Sequence, residues 1–511
     1  MGNRLTTTGR HLAAVWKGMW RDDGTLGEKT VRGGLWNVSS MLVRRGFGFV
    51  QTLVLVRLLV PADFGLMALA GSVMEILDVL TSTGFGSALI QRDEVGPETL
   101  DTVWTIQAGR SLLLCAGIFF AAPFVAAFYG NPQITWILRA IGARFLIGGC
   151  SNVGIQLLRK ELDFRRVETL GIITQTMSIT TTIVCGFLLR NVWALVIGQL
   201  AQQTFYTVGS YFVHPYRPSL RIWRDRAESL FRFGLPLTAS AILFLITSNA
   251  PNFVLAKVWR MDDLGFFSLA FMLSNLPVTC LSNVISGVTP STYAKLQDDP
   301  ERLSKVFFQV LELVAALAIP ASLGMNLLAP SFVRIVYGTK MLPMVACFEV
   351  LTVYGMLNAL AESCEPFFIY TKRLRMQLGM HLIRAALLAA LIYPLSRSLW
   401  IQGTALAAVI SISGCALWSY WMVARVFGAA AFWDWMRIVG RILVCCAGMA
   451  IVTQGLVMAG VCNQGPGLVH KLPLGFVATV LAGAGTYFTL LYFVAPGTFG
   501  SMRRIVSKAA A

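Results

Sequence analysis

Apolar runs of about 18–25 residues, the length that carries a helix across a bilayer, recur along the whole chain. No other feature narrows the fold as far. In hydrocarbon every backbone N–H and C=O must find a partner within the chain, so spans are helices or strands of a closed barrel. Barrel strands would read as alternating segments of about ten residues, and these runs do not alternate. The expected fold is an all-α polytopic membrane protein. Spans fall at roughly 33–59, 64–82, 101–127, 134–157, 167–189, 192–214, 233–256, 265–289, 305–329, 342–366, 376–396, 401–424, 437–460 and 472–495, which makes about 14 transmembrane helices. The composition agrees: 56% hydrophobic, 13% charged, mean hydropathy +0.66. Soluble domains carry about a quarter charged residues.

The formal net charge of +17 comes from 42 Lys and Arg against 25 Asp and Glu. With both termini placed in the cytoplasm, Lys and Arg crowd the cytoplasmic loops by roughly three to one. The basic balance therefore reads as topology, and no nucleic-acid partner is expected. The ten cysteines, among them Cys115, Cys150, Cys185, Cys415, Cys445 and Cys446, lie mostly inside apolar runs. They form no CxxC or Cys/His cluster, so no metal site and no disulfide framework is expected, and they read as small buried apolar residues. The first 32 residues are mixed and basic with no apolar core, which predicts a cytoplasmic N-terminal segment and no cleavable signal peptide.

An offset of 200 residues aligns the chain with itself. Arg32-Gly33-Gly34-Leu35 meets Arg232-Phe233-Gly234-Leu235, and Ser40 meets Ser240. Val54-Leu55-Val56-Arg57 meets Val254-Leu255-Ala256-Lys257, and Asp63-Phe64-Gly65 meets Asp263-Leu264-Gly265. Six spans, an even number, separate the copies, so the repeats run parallel. The expected organisation is two parallel six-helix lobes plus two C-terminal helices, an arrangement used by transporters. The boundaries are a cytoplasmic N-terminal segment at 1–32, an N-lobe at 33–214, a cytoplasmic linker at 215–232, a C-lobe at 233–426, and the last two helices with a cytoplasmic tail at 427–511.

The chain resembles a known family at several places. They are Arg57-Leu58-Leu59-Val60-Pro61-Ala62-Asp63-Phe64-Gly65-Leu66, Gly84-Phe85-Gly86-Ser87-Ala88-Leu89-Ile90-Gln91-Arg92, Arg159-Lys160-Glu161-Leu162-Asp163-Phe164-Arg165-Arg166, Trp193-Ala194-Leu195-Val196-Ile197-Gly198-Gln199-Leu200, Phe231-Arg232-Phe233-Gly234-Leu235-Pro236 and Lys295-Leu296-Gln297-Asp298-Asp299-Pro300. In combination they are similar to the polysaccharide transport family of the multidrug/oligosaccharidyl-lipid/polysaccharide flippase superfamily. The resemblance runs from about residue 30 to about 425. It implies a bacterial inner-membrane flippase, with both termini cytoplasmic, that moves undecaprenyl-diphosphate-linked oligosaccharide to the periplasmic leaflet by alternating access. The product serves exopolysaccharide or lipopolysaccharide synthesis. Membrane lipids are implied partners, as are a polysaccharide polymerase and chain-length or export proteins.

No enzyme and no cofactor is expected. The sequence has no GxxxxGK[ST], no HExxH, no nucleophile elbow and no strand-borne GxGxxG. What stands out instead is charge inside the spans, where ionisable groups are costly. Arg44, Arg45, Arg110, Arg144 and Arg139 are the candidates for a cationic cavity, because arginine forks match phosphate oxygens. Packing or snorkelling is the plainer role for each, and Arg44 or Arg45 is expected to pair with Glu75 or Asp78 if it serves structure alone. Glu75 and Asp78, three apart on one helix face, are coupling or gating candidates. So are Asn249 and Asn252, which with Pro251 are expected to interrupt the seventh span, and Arg384, which can also snorkel to the cytoplasmic face. Ser274-Asn275 and the acids Glu349, Glu362 and Glu365 are weaker marks. The basic linker with Arg217, Arg221, Arg224 and Arg226 reads first as a lipid-facing stretch and second as a substrate-recruiting one. Two other functions compete. A drug or cation antiporter of the same superfamily should have an acidic interior, and a membrane-embedded polysaccharide-assembly enzyme should have a large periplasmic loop. Neither is present in the sequence.

Overall fold

The computed structural model describes residues 26–80, 96–161, 163–221, 223, 243–279, 289, 292–293, 295–461 and 474–500. Its long elements are helices: α1 (Leu26–Leu58), α2 (Pro61–Leu80), α3 (Pro97–Tyr129), α4 (Gln133–Gly149), α5 (Ile155–Lys160), α6 (Phe164–Leu189), α7 (Trp193–Val213), α8 (Leu243–Val258), α9 (Met261–Ser274), α10 (Pro300–Phe332), α11 (Val345–Glu362), α12 (Glu365–Tyr370), α13 (Leu374–Phe427), α14 (Ala429–Met458) and α15 (Leu474–Val494). Among the described residues, seven helical stretches are long and apolar enough to cross a membrane. The expected fourteen exceeds that number, partly because the expected spans at 233–256 and 265–289 fall partly outside the described residues and those at 376–396 and 401–424 fall within the single helical run of α13. The stretches Gly84–Arg92 and Phe231–Pro236 are also outside them.

The helix ends follow from local chemistry. Pro97 opens α3, and Gly130 closes it in the left-handed conformation at φ 67°, its N–H reaching the carbonyls of Ala126 and Ala127. The Asp163 carboxylate caps α6 by accepting from the Arg166 N–H. Asp299 does the same for Arg302 at the head of α10, with Pro300 at the first helical position. The Asp263 carboxylate accepts from the Arg260 N–H at the start of α9. The expectation that Asn249, Pro251 and Asn252 interrupt the seventh span is corrected: α8 runs unbroken through all three. The buried Asn249 amide donates to the Leu245 carbonyl one turn back.

The chain divides into two compact units, one over Met1–Val60 and Leu69–Ile242, the other over Pro61–Ala68 and Leu243–Ala509. In the first, α1 packs on α6, α3 on α4, α6 on α7 and α4 on α7. The linker after α7 is fastened to this unit. The Asp101 carboxylate on α3 accepts from the Tyr216 hydroxyl and from the N–H and hydroxyl of Ser219. The Asn152 amide donates to the carbonyls of His214 and Tyr216 at 2.9 and 3.0 Å. Burial, together with the Asp101 carboxylate, pushes the Tyr216 phenol up, so it stays a hydrogen-bond donor. The first part of the linker is thus a docked strap; Arg224 and Arg226 lie outside the described residues.

In the second unit the helical run of α13 breaks at Leu399 and Trp400 (φ −121° and 55°). A side chain at Gly403 would meet the Leu395 carbonyl, one at Gly414 the Leu387 side chain, and one at Gly379 the Trp418 ring. These pairings close symmetrically about the break, so α13 is an antiparallel hairpin of two helices. The α14–α15 pair is another: Gly448 faces Leu490 and Gly483 faces Thr453. That pair, outside the repeat, is welded to α10. Ile442, Cys445, Met449, Tyr487 and Leu491 share a core with Val314, Ala315 and Ile319. The Tyr487 hydroxyl donates to the Ala316 carbonyl at 2.7 Å.

Two positions 200 residues apart meet inside this unit. A methyl group on Gly65 would strike the Met261 carbonyl oxygen, and one on Gly265 would strike that of Pro61. The contact is reciprocal, residue for residue, between equivalent turns of α2 and α9. Only glycine allows backbones to approach this closely.

Candidate functional site

Among the expected site residues, Arg44 makes the best-defined polar contacts. Ser40 and Arg44 stand one turn apart on α1 and share a face. The Ser40 hydroxyl and Arg44 Nη2 both donate to Glu168 Oε2, at 2.6 and 2.7 Å. Glu168, in the second turn of α6, is buried, whereas the Arg44 side chain keeps 33% of its surface open. Gly171, one turn further along α6, leaves room for Arg44 Nη1: a side chain there would run into it. The expected pairing of Arg44 with Glu75 or Asp78 is replaced by Glu168. Arg45, its neighbour, is half-buried on α1.

Asp78 on α2 instead forms an ion pair with Arg110 of α3, which also donates to the Asp78 carbonyl. Asp78 and Glu75 are both exposed, and the Arg110 side chain is mostly covered. Arg139 on α4 donates from Nε to the Phe119 carbonyl at 3.2 Å, and its guanidinium lies 4.2 Å over the Phe119 ring. That is aromatic packing. Arg144 is half-buried in the middle of α4. Of the five arginines expected to line a cationic cavity, Arg44 and Arg110 are thus acid-paired with part of their side-chain surface open, and Arg139 is held by an aromatic ring.

The second unit has a buried polar cluster. Arg384 of α13 is buried, whereas snorkelling required an exposed head group. It is 4% exposed, donates from Nη2 to the Tyr354 hydroxyl at 2.7 Å and lies over the Phe244 ring. Glu365 Oε1 accepts from the Gln377 amide at 2.8 Å and faces His381 Nε2 at 3.5 Å. Glu362 accepts from the Asn358 amide at 2.9 Å. Among the described residues His381 has no hydrogen-bond partner, although it is 1% exposed, and Arg384 Nε also has none. Ser274 and Asn275 bond to the Phe271 carbonyl of their own helix. Glu349 lends its carbonyl to the Asn326 amide.

Glu168 and His381 escaped the candidate set. Glu168 follows the basic run Arg159–Arg166 and reads as loop chemistry, yet it stands inside an apolar span, the criterion that marked Glu75 and Asp78. Cys150 is exposed, against the expectation of burial, while Cys347, Cys364, Cys415, Cys445 and Cys446 are buried free thiols. Among the described residues no group of His, Cys, Asp and Glu is placed to hold a metal ion.

Comparison with known proteins bears on this arrangement. The family model described as polysaccharide biosynthesis protein matches residues 54–346. The lipopolysaccharide biosynthesis protein WzxC of Escherichia coli (strain K12) is 26% identical over 344 residues, covering 66% of this chain and 69% of WzxC. The succinoglycan biosynthesis transport protein ExoT of Rhizobium meliloti (strain 1021) is 24% identical over 349 residues, covering 68% and 70%. The lipid II flippase MurJ in an inward closed conformation shares the fold, with a TM-score of 0.68 over 90% of this chain and 98% of MurJ at 13% identity. The chain belongs to the polysaccharide biosynthesis protein family, and its described residues form an all-α, multi-span membrane fold.

Proposed function

We propose that the protein carries undecaprenyl-diphosphate-linked oligosaccharide repeat units from the cytoplasmic to the periplasmic leaflet of the bacterial inner membrane, with both termini in the cytoplasm. The family match over residues 54–346 carries this reading. The names of WzxC and ExoT tie such chains to surface-polysaccharide synthesis, and the name of MurJ ties the fold to a lipid-linked substrate. The residues supply the chemistry. The substrate headgroup is a diphosphate, which needs fixed cations to leave water cheaply. Arg44 and Arg110 keep part of their side-chain surface open, and their carboxylate partners hold them oriented when no substrate is bound. Arg45 and Arg144 are further cations of this set, and Arg139 shapes the fold.

The lobes rock by alternating access. The cluster of Glu362, Glu365, His381 and Arg384 is the coupling element: Glu365 faces the buried His381 at 3.5 Å, and Arg384 is buried against the Tyr354 hydroxyl. Asp78 serves as the counter-ion of Arg110, and Glu75, three residues before it on the same helix, is a further gating candidate. In a strain lacking the gene, undecaprenyl-diphosphate-linked repeat units accumulate on the cytoplasmic side and export of the polysaccharide stops. Normal export with no accumulation in that strain contradicts the reading.

A further inference from the structure

We propose that Glu168 is the resident counter-ion of Arg44, a carboxylate that the incoming diphosphate displaces and whose return drives the substrate off. The inference rests on the flippase reading above. Both donors, Ser40 Oγ and Arg44 Nη2, converge on one oxygen, Oε2, so the carboxylate is held at a single point. Glu168 is buried on α6, while Arg44 presents a third of its side chain outward. A guanidinium has five N–H donors, and Glu168 takes one nitrogen of it, Nη2. A phosphate bound by the remaining donors shares the cation with a second anion. The two anions share one cation and oppose each other across it.

The arrangement suits a carrier. An unpaired arginine would be costly in the empty protein and would hold a diphosphate too firmly after translocation. A transport site must bind well enough to load and weakly enough to empty. Ser40 tunes the balance. Its hydroxyl hydrogen bond draws charge from the same oxygen that faces Arg44, so the carboxylate competes less strongly with substrate than a bare one would.

A static clamp between α1 and α6 makes different predictions. Glu168→Gln keeps the size of the side chain and its acceptor for both donors but removes the charge. Displacement predicts that the purified Glu168→Gln variant binds undecaprenyl diphosphate about tenfold more tightly than wild type, the scale set by losing one close like-charge neighbour. In reconstituted vesicles its KM and kcat fall together, because release slows. Ser40→Ala leaves the carboxylate to Arg44 alone and weakens binding, which tests the idea even if Glu168→Gln does not fold. Inorganic pyrophosphate is titrated beside the lipid; tightening toward both supports displacement by the anion itself, and tightening toward the lipid alone supports displacement by a membrane-delivered headgroup. Unchanged or weaker binding by Glu168→Gln, or tighter binding by Ser40→Ala, overturns the proposal. If wild type fails to bind undecaprenyl diphosphate at all, it is the substrate reading that falls.

Discussion

Arg44 shows what a single residue discloses and withholds. An arginine inside an apolar run is legible as a costly and therefore purposeful charge. Its partner was not, because Glu168 lies 124 residues away and only the packing of α1 on α6 brings them together. Arg384 teaches the same lesson in reverse. Its place near a span end suggested escape to water, and packing against Tyr354 and Phe244 buried it instead. At this scale the account predicts that Arg44→Ala blocks export at near-normal protein level. Truncating one member of a buried charge pair costs about 2–5 kcal/mol, enough to cut substrate occupancy more than tenfold. Arg44→Lys retains part of the activity, since charge survives while the planar fork is lost. Arg139→Ala is milder. Quantified polysaccharide export with a membrane immunoblot checks all three; equal export by Arg44→Ala and wild type would falsify the role.

Elements were more readable than contacts. Spans come from hydrophobic runs, and caps such as Asp299-Pro300 come from local rules that need no tertiary information. The break between the expected spans at 376–396 and 401–424 coincides with the turn at Leu399 and Trp400. Pro251 misled, because a helix packed among neighbours tolerates a missing N–H that an isolated one would not. The crossing of α2 and α9 gives the element-scale prediction. Gly65→Ala places a methyl group against a backbone carbonyl that cannot swing aside, and overpacking of this kind costs about 1–3 kcal/mol. Gly71→Ala, on the same helix with open space around it, gains up to about 1 kcal/mol of helix propensity. Thermal unfolding in detergent should move down for the first and up or not at all for the second. A Gly65→Ala midpoint at or above wild type contradicts the close crossing.

The offset of 200 residues was a pattern in letters, and at Gly65 and Gly265 it corresponds to a physical meeting of equivalent turns. The composition disclosed a membrane protein, and the alternation of basic loops proposes which side each faces. In a cysteine-free background, single cysteines near 130, 260 and 338 should react with an impermeant thiol reagent added to intact cells. Those near 160, 298 and 373 should not. Reaction at 160 from outside would invert the first unit.

Transport itself is the central claim. Purified protein is reconstituted into vesicles containing a fluorescent undecaprenyl-diphosphate-linked oligosaccharide, and the fraction reaching the opposite leaflet is measured by its accessibility to an impermeant quencher. The account predicts that wild-type vesicles move the lipid well above protein-free vesicles and that Arg44→Ala vesicles do not. Translocation by wild-type protein no faster than in protein-free vesicles contradicts it.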